Sequence, residues 1–232
     1  MDPDKLPHRV KIKKISIFLL GLMLCVIFLV VLCFQTQNKA TVVSKSLSQI
    51  KLLILYSSGN TTSQWETAVP NISEDIDAIS SPTSKFVNKE VIANMIAHYL
   101  KKEMSRVTLK RFEEIKKSQE VLVADVILIG SATRFGIMSW QTKRFFDQTL
   151  FPICVHRRKR LSDKYIGCFT TCEVYPSGKD CIKSINRALY DFETNKLPSL
   201  IILDKTPQDE LEKKVAHFTN ELIAKLQHAY AP

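Results

Sequence analysis

The chain has 232 residues, with 33 Lys and Arg against 23 Asp and Glu, a formal charge of +10. Hydrophobic residues make up 45% and charged ones 24%, proportions that exclude a disordered, collagen-like or low-complexity chain and suit one ordinary domain. One segment departs from that average: Ile15 to Phe34 (ISIFLLGLMLCVIFLVVLCF) carries no charge. At about 1.5 Å per residue it is long enough to cross ~30 Å of hydrocarbon, which predicts an anchored rather than a wholly soluble protein.

The basic start, residues 1–14, contains Lys5, Arg9, Lys11, Lys13 and Lys14, whereas Lys39 and Lys45 follow the apolar run. The positive-inside rule then places the N-terminus in the cytoplasm and the rest in a lumen or outside the cell. A secretory signal peptide is the competing reading, but its apolar part is usually ~7–15 residues and ends in a small-residue cleavage site. Here the run continues into Cys33-Phe34-Gln35-Thr36 with no A-x-A pattern. Residues 35–49 are polar and aperiodic and read as a stalk, leaving 50–232 for the folded domain. Asn60-Thr61-Thr62 and Asn71-Ile72-Ser73 match the glycosylation pattern. Cys154, Cys168, Cys172 and Cys181 are compatible with disulfides or with free thiols. Zinc is not expected, because Cys168 and Cys172 have no second close pair and no histidine at finger-like spacing.

In chain order, Ile50 to Tyr56 (IKLLILY) is a short apolar run closed by Ser57-Ser58-Gly59-Asn60, as expected of a strand buried on both faces. A polar insertion, 63–88, precedes a helical pattern at Glu90 to Lys102, and Arg106 to Phe112 alternates like an edge strand. Val126 to Gly130 is a third strand, followed by a helix over Ser139 to Leu150. Tyr165 to Thr170 is a fourth strand, followed by a helix over Asp180 to Phe192. Leu200 to Leu203 is a short fifth strand, and the last helix runs from Gln208 to Ala229. Alternating strands and helices imply βαβ crossovers, hence an α/β, doubly wound, five-stranded parallel sheet of flavodoxin-like order 2-1-3-4-5. Such sheets bind ligands beyond the carboxyl ends of their strands. The basic run His156 to Arg160 has no interleaved aromatics and reads as a solvated loop, so no nucleic-acid partner is expected.

The loop after the first strand, Ser57-Ser58-Gly59-Asn60-Thr61, offers hydroxyls, backbone N–H groups and a glycine that could wrap an anion. The segment after the third strand is the more specific. Gly130-Ser131-Ala132-Thr133-Arg134-Phe135-Gly136-Ile137-Met138, with Phe145-Phe146-Asp147-Gln148 on the following helix, resembles the strand, G-T-P-T-R-F-G-N-M loop and F-x-D-Q helix of the WrbA-like NAD(P)H:quinone oxidoreductases. That resemblance implies a flavodoxin fold, noncovalent FMN and two-electron reduction of quinones by NADH or NADPH, with a membrane anchor as this chain's addition. Carried over by motif, Ser57, Ser58, Gly59, Asn60 and Thr61 would hold the phosphate. Ser131, Ala132, Thr133, Arg134, Phe135 and Gly136 would lie along the ribityl chain and ring system, with Thr171 on the fourth-strand loop. No catalytic side chain is required, since the flavin carries the chemistry. Self-association into a homo-oligomer is left open.

The chain departs from the family pattern in several places. Tyr56 stands where a phosphate-binding hydroxyl is expected, Ala132 replaces Pro, Ile137 replaces Asn, and the fourth-strand loop Thr171 to Pro176 lacks a glycine-rich run. These departures support an alternative, a degenerate flavodoxin-like domain that has lost its flavin and acts as a binding or structural module.

Overall fold

The computed structural model describes residues 23, 45–57, 87, 89–156 and 161–231. Apart from Met23 and Val87, the expected anchor and polar insertion lie outside them, as do residues 35–44 of the expected stalk and most of the first loop. Residues 45–49, also expected as stalk, pack on the domain, with Lys45 paired to Asp125, a short helical turn at Leu47–Gln49 and Leu47 against the core. Among the described residues no helix is long and apolar enough to cross a membrane.

The element order is β1 (Leu52–Tyr56), α1 (Lys89–Leu100), β2 (Val107–Arg111), α2 (Ser118–Leu122), β3 (Val126–Arg134), β4 (Ile137–Met138), α3 (Trp140–Phe145), α4 (Phe151–His156), β5 (Tyr165–Cys172), α5 (Tyr175–Ala188), β6 (Asn195–Leu203) and α6 (Gln208–Tyr230). One wider π turn, Phe146–Leu150, joins α3 to α4, so the helix expected to stop at Leu150 continues to His156. The sheet runs β2-β1-β3-β5-β6, all parallel, which is the order expected from the alternating pattern. The two-residue β4 was not foreseen and folds back antiparallel on the end of β3.

Period-two alternation divides the core into two layers. Leu52, Ile54, Tyr56, Val126, Leu128 and Phe169 face α1 and α6, while Leu53, Leu55, Ile127, Ile129 and Cys168 face α3, α4 and α5. Both faces are covered, which is why β1 reads as a continuous apolar run. Edge strand β2 is only half-buried and alternates. The other edge, β6, is longer than the apolar run Leu200 to Leu203 and contains Pro198, tolerated because an edge strand leaves one row of N–H groups unpaired. Opposite it the register slips between Ile166 and Cys168. A Cβ on the intervening Gly167 would lie 2.8 Å from Leu128 Cδ2 and 3.1 Å from the Pro198 carbonyl oxygen, so any larger residue would force Leu128 to shift.

The four cysteines of the domain are free thiols, and Cys168, Cys172 and Cys181 are buried. Burial pushes the Cys168 thiol up to about 12, which makes it an inert core residue.

Candidate functional site

The carboxyl ends of β1, β3 and β5 converge where the switch-point rule places a ligand. Two regions there differ in how their polar groups are satisfied.

The first is built on β3. Ser131 to Arg134, expected as a loop, are the last four residues of the strand. Thr133 pairs with Met138 and Arg134 with Ile137 across a tight turn whose central residues are Phe135 (φ 48°) and Gly136 (φ 74°). Two consecutive positive φ values fit the primed hairpin turns that match strand twist. Glycine takes such a value freely, but phenylalanine does so only under constraint from its surroundings. The Phe135 ring is fully exposed at the tip, so core packing does not account for its conformation. By contrast Met138, Phe145 and Phe146 are buried in the layer below, and Lys143 and Asp147 form an exposed ion pair along the helix.

A hydroxyl network locks this hairpin from beneath. Ser131 Oγ accepts from the Ser139 N–H (3.0 Å) and the Thr142 hydroxyl (2.9 Å) and donates to the Ala132 carbonyl (3.0 Å). Thr170 on β5 donates to the Ser131 carbonyl at 2.8 Å, and its hydroxyl lies 2.9 Å from that of Thr133. Ser184 on α5 accepts the Met138 N–H at 3.0 Å. Ser139, Thr142, Thr170 and Ser184 were not singled out in the sequence. Their partners come from other elements, and only the register Ser131↔Thr170 brings two of these together. Thr171, which was singled out, is buried beside Ala132 near the end of β5.

The second region lies where β1 ends and α1 begins. Of the five residues expected to hold a phosphate, Ser57 is described; Ser58, Gly59, Asn60 and Thr61 lie outside the described residues. Ser57 is fully buried, its N–H reaches the Gly130 carbonyl at 3.3 Å, and among the described residues its Oγ has no hydrogen-bond partner. Tyr56 is the last core residue of β1. Its hydroxyl lies 3.2 Å from Glu90 Oε1, which also pairs with Arg111 at 3.0 Å, so the three pin the first turn of α1 to the sheet. The guanidinium of Arg111 holds the Glu90 carboxyl below its ordinary value.

Lys89, also missed, opens the twelve-residue α1 and is buried. Among the described residues neither Lys89 nor Arg134 makes a side-chain hydrogen bond or ion pair. Burial lowers the Lys89 ammonium below the ordinary lysine value, Arg134 lowers it further, and Asp204 and Glu90 act the other way. Asp204, at the end of β6, is raised by burial and by Glu173. A buried cation whose strongest charged neighbour is a second cation, next to a helix N-terminus and a loop that starts at an orphaned hydroxyl, suits a phosphate monoester.

No protein-family model matches the chain. A flavodoxin of Aquifex aeolicus is 39% identical over 64 residues, 27% of this chain and 34% of that protein. An NAD(P)H dehydrogenase (quinone) of Archaeoglobus fulgidus is 37% identical over 75 residues, 32% of this chain and 37% of that protein. The chain therefore spans well under two thirds of either relative. Oxidised flavodoxin 2 from Bacillus cereus superposes with a TM-score of 0.54 at 20% identity, covering 75% of this chain and 99% of that one. The fold is that of the flavodoxins. A flavodoxin, WrbA-like protein from Agrobacterium tumefaciens superposes with a TM-score of 0.50 at 15% identity, over 78% and 99%.

Proposed function

We propose that this flavodoxin-fold protein binds FMN and serves as an NAD(P)H:quinone oxidoreductase, tethered to a membrane by residues 15–34 with its N-terminus cytoplasmic and its domain lumenal or extracellular. The observation that carries the flavin reading is the Ser57 hydroxyl at the end of the central β1, buried with no hydrogen-bond partner among the described residues, with Lys89 opening the next described helix. Ser57 and Lys89 would hold the phosphate, and Thr133, Arg134, Phe135 and Gly136 would lie along the ribityl chain and rings. FMN, when bound, accepts a hydride and passes electrons on. This chain's residues supply position: the Ser131 and Thr170 hydroxyls fix the hairpin, and Arg134 adds a donor at its edge. The likeness to a quinone dehydrogenase supports quinone and NAD(P)H as partners.

Full-length protein, purified in detergent and denatured, should release FMN identifiable by fluorescence and mass. Colourless protein that does not rebind FMN would establish the second reading, a flavin-free module. The observation favouring that reading is the carboxylate of Glu173, which raises Asp204 at this end of the sheet and would oppose an anionic reduced flavin. The topology has its own test: protease added to sealed vesicles should leave the domain intact, and digestion without detergent overturns the proposed orientation.

A further inference from the structure

The helix α3, the π turn and α4 form one unbroken rod from Trp140 to His156. Its inward residues, among them Phe145, Phe146, Leu150 and Ile153, are buried in the layer beneath the sheet. Its outward face carries Trp140, Phe151 and Val155, which are 60%, 61% and 55% exposed. Exposed Arg144 and the ion pair of Lys143 with Asp147 lie between them. The spacing follows helix geometry: Trp140 and Arg144 are one turn apart, the π turn takes up its extra residue, and Phe151 and Val155 are again one turn apart.

The long helix α6, on the other face of the sheet, shows what a water-facing surface of this domain looks like. Its exposed positions are polar or charged, Ala224 excepted. Single exposed apolar residues need no explanation. Three large ones aligned along one helix, interleaved with cations, have the composition of a surface that lies in a membrane interface. Directly after His156 the sequence adds four more cations, Arg157, Arg158, Lys159 and Arg160, which lie outside the described residues.

The chain itself limits what can cover this face. Residues 45–49 are held on the domain, so residues 35–44 alone link it to the expected span, and such a link reaches at most about 35 Å. That keeps the domain beside the bilayer and raises the effective concentration of lipid surface to the order of millimolar, so a face too small to hold a free protein on a membrane suffices here. We propose that the domain docks on the bilayer through the outward face of α3 and α4, with Trp140, Phe151 and Val155 entering the headgroup layer and Arg144 meeting lipid phosphate. The inference rests on the membrane-tether reading and adds to it a second contact, made by the folded domain.

The test uses the full-length protein reconstituted in vesicles of four parts phosphatidylcholine to one of phosphatidylserine, in a Trp65→Phe background that leaves Trp140 as the sole indole. An indole seated ~5–10 Å into the interface lies within reach of bromine carried on the acyl chains, so Trp140 emission should fall about twofold relative to unbrominated lipid. Phe151→Ser combined with Val155→Ser, both at exposed positions, should abolish most of that quenching and leave the thermal midpoint unchanged. The triple variant Trp65→Phe, Trp140→Phe, Gln227→Trp moves the indole to the outward face of α6 and should show no quenching. Quenching as strong at position 227 as at Trp140, quenching unmoved by the paired serine substitutions, or a Trp140 that bromine does not quench because water, a second copy or the chain's own segments cover it, overturns the proposal. Carbonate extraction of the same vesicles at high pH reports the tether separately. Protein that stays in the membrane with Trp140 unquenched keeps the tether and loses the docking, whereas protein quenched beforehand but extracted by carbonate keeps the docking and loses the tether.

Discussion

The hairpin after β3 and the junction of β1 with α1 sit at the same end of one sheet, but they are prepared differently. Around Ser131 the described hydroxyls find partners within the protein, so the turn keeps its shape without a ligand. At the other region the Ser57 hydroxyl is buried with no partner among the described residues, and the buried residue Lys89 forms no ion pair among them. Shape is therefore set by the first region, and unmet hydrogen-bonding and charge are concentrated in the second. A site made this way reads ring geometry with a rigid element and binds charge with groups whose burial is costly until an anion arrives.

The largest expected effect is on the rigid side. A Cβ at Gly130 would lie 2.2 Å from Cζ of the fully buried Phe169. Gly130→Ala should then lower stability by about 3 kcal/mol, the upper part of the usual overpacking cost, as a shift in the urea midpoint. Ser131→Ala comes next, because it strands the buried Ser139 N–H and leaves the Thr142 hydroxyl only its 3.0 Å contact with Ser139 Oγ. A loss of about 2 kcal/mol is expected, and a loss no larger than that of a surface substitution would mean the network does not lock the hairpin.

On the unsatisfied side the sign reverses. Ser57→Ala removes no protein hydrogen bond and should leave stability within about 0.5 kcal/mol. Lys89→Met should leave it equal or higher while weakening FMN about tenfold, or ~1.4 kcal/mol, with riboflavin, which lacks the phosphate, unaffected. Calorimetric titration of both flavins checks this. If Ser57→Ala destabilised as much as Ser131→Ala, the contrast between the two regions would collapse.

The smallest effect is on pH dependence. The folded protein holds Lys89 below the ordinary value of about 10.4, so the unfolded chain binds more protons between that lowered value and 10.4. Stability should rise with pH across that window, and Lys89→Met should remove the rise. Asp204 is shifted upward, so stability should fall as pH rises from its ordinary value toward the raised one, and Asp204→Asn should flatten the fall. Unfolding midpoints collected at a series of pH values resolve both.

Strand order was legible because β1, β3 and β5 are continuous apolar runs separated by helical periods. A sheet covered on both faces leaves few other arrangements for such a pattern. The hairpin was legible only as a motif. Thr133-Arg134-Phe135-Gly136 marks a special backbone, but nothing in it shows that Ser131 to Arg134 would stay in the strand. That outcome depends on β5 extending alongside Ser131 and Ala132 as far as Thr171 and on β4 folding back onto Thr133 and Arg134. Pro198 concealed the first half of β6, since a proline usually argues against a strand unless the strand is known to be an edge.

Composition and pattern by themselves determined the α/β class, the sheet order, the apolar segment at 15–34 and the two loops worth inspecting. These are properties of short stretches, governed by period, charge and turn chemistry. Tertiary structure decided which polar groups are satisfied. The Ser131 hydroxyl has its partners eight and eleven residues away and its carbonyl is met from β5. Ser57 is left with none among the described residues, and Lys89 is buried near Arg134. Burial and pairing depend on what distant segments bring to the same place, and no local pattern encodes that.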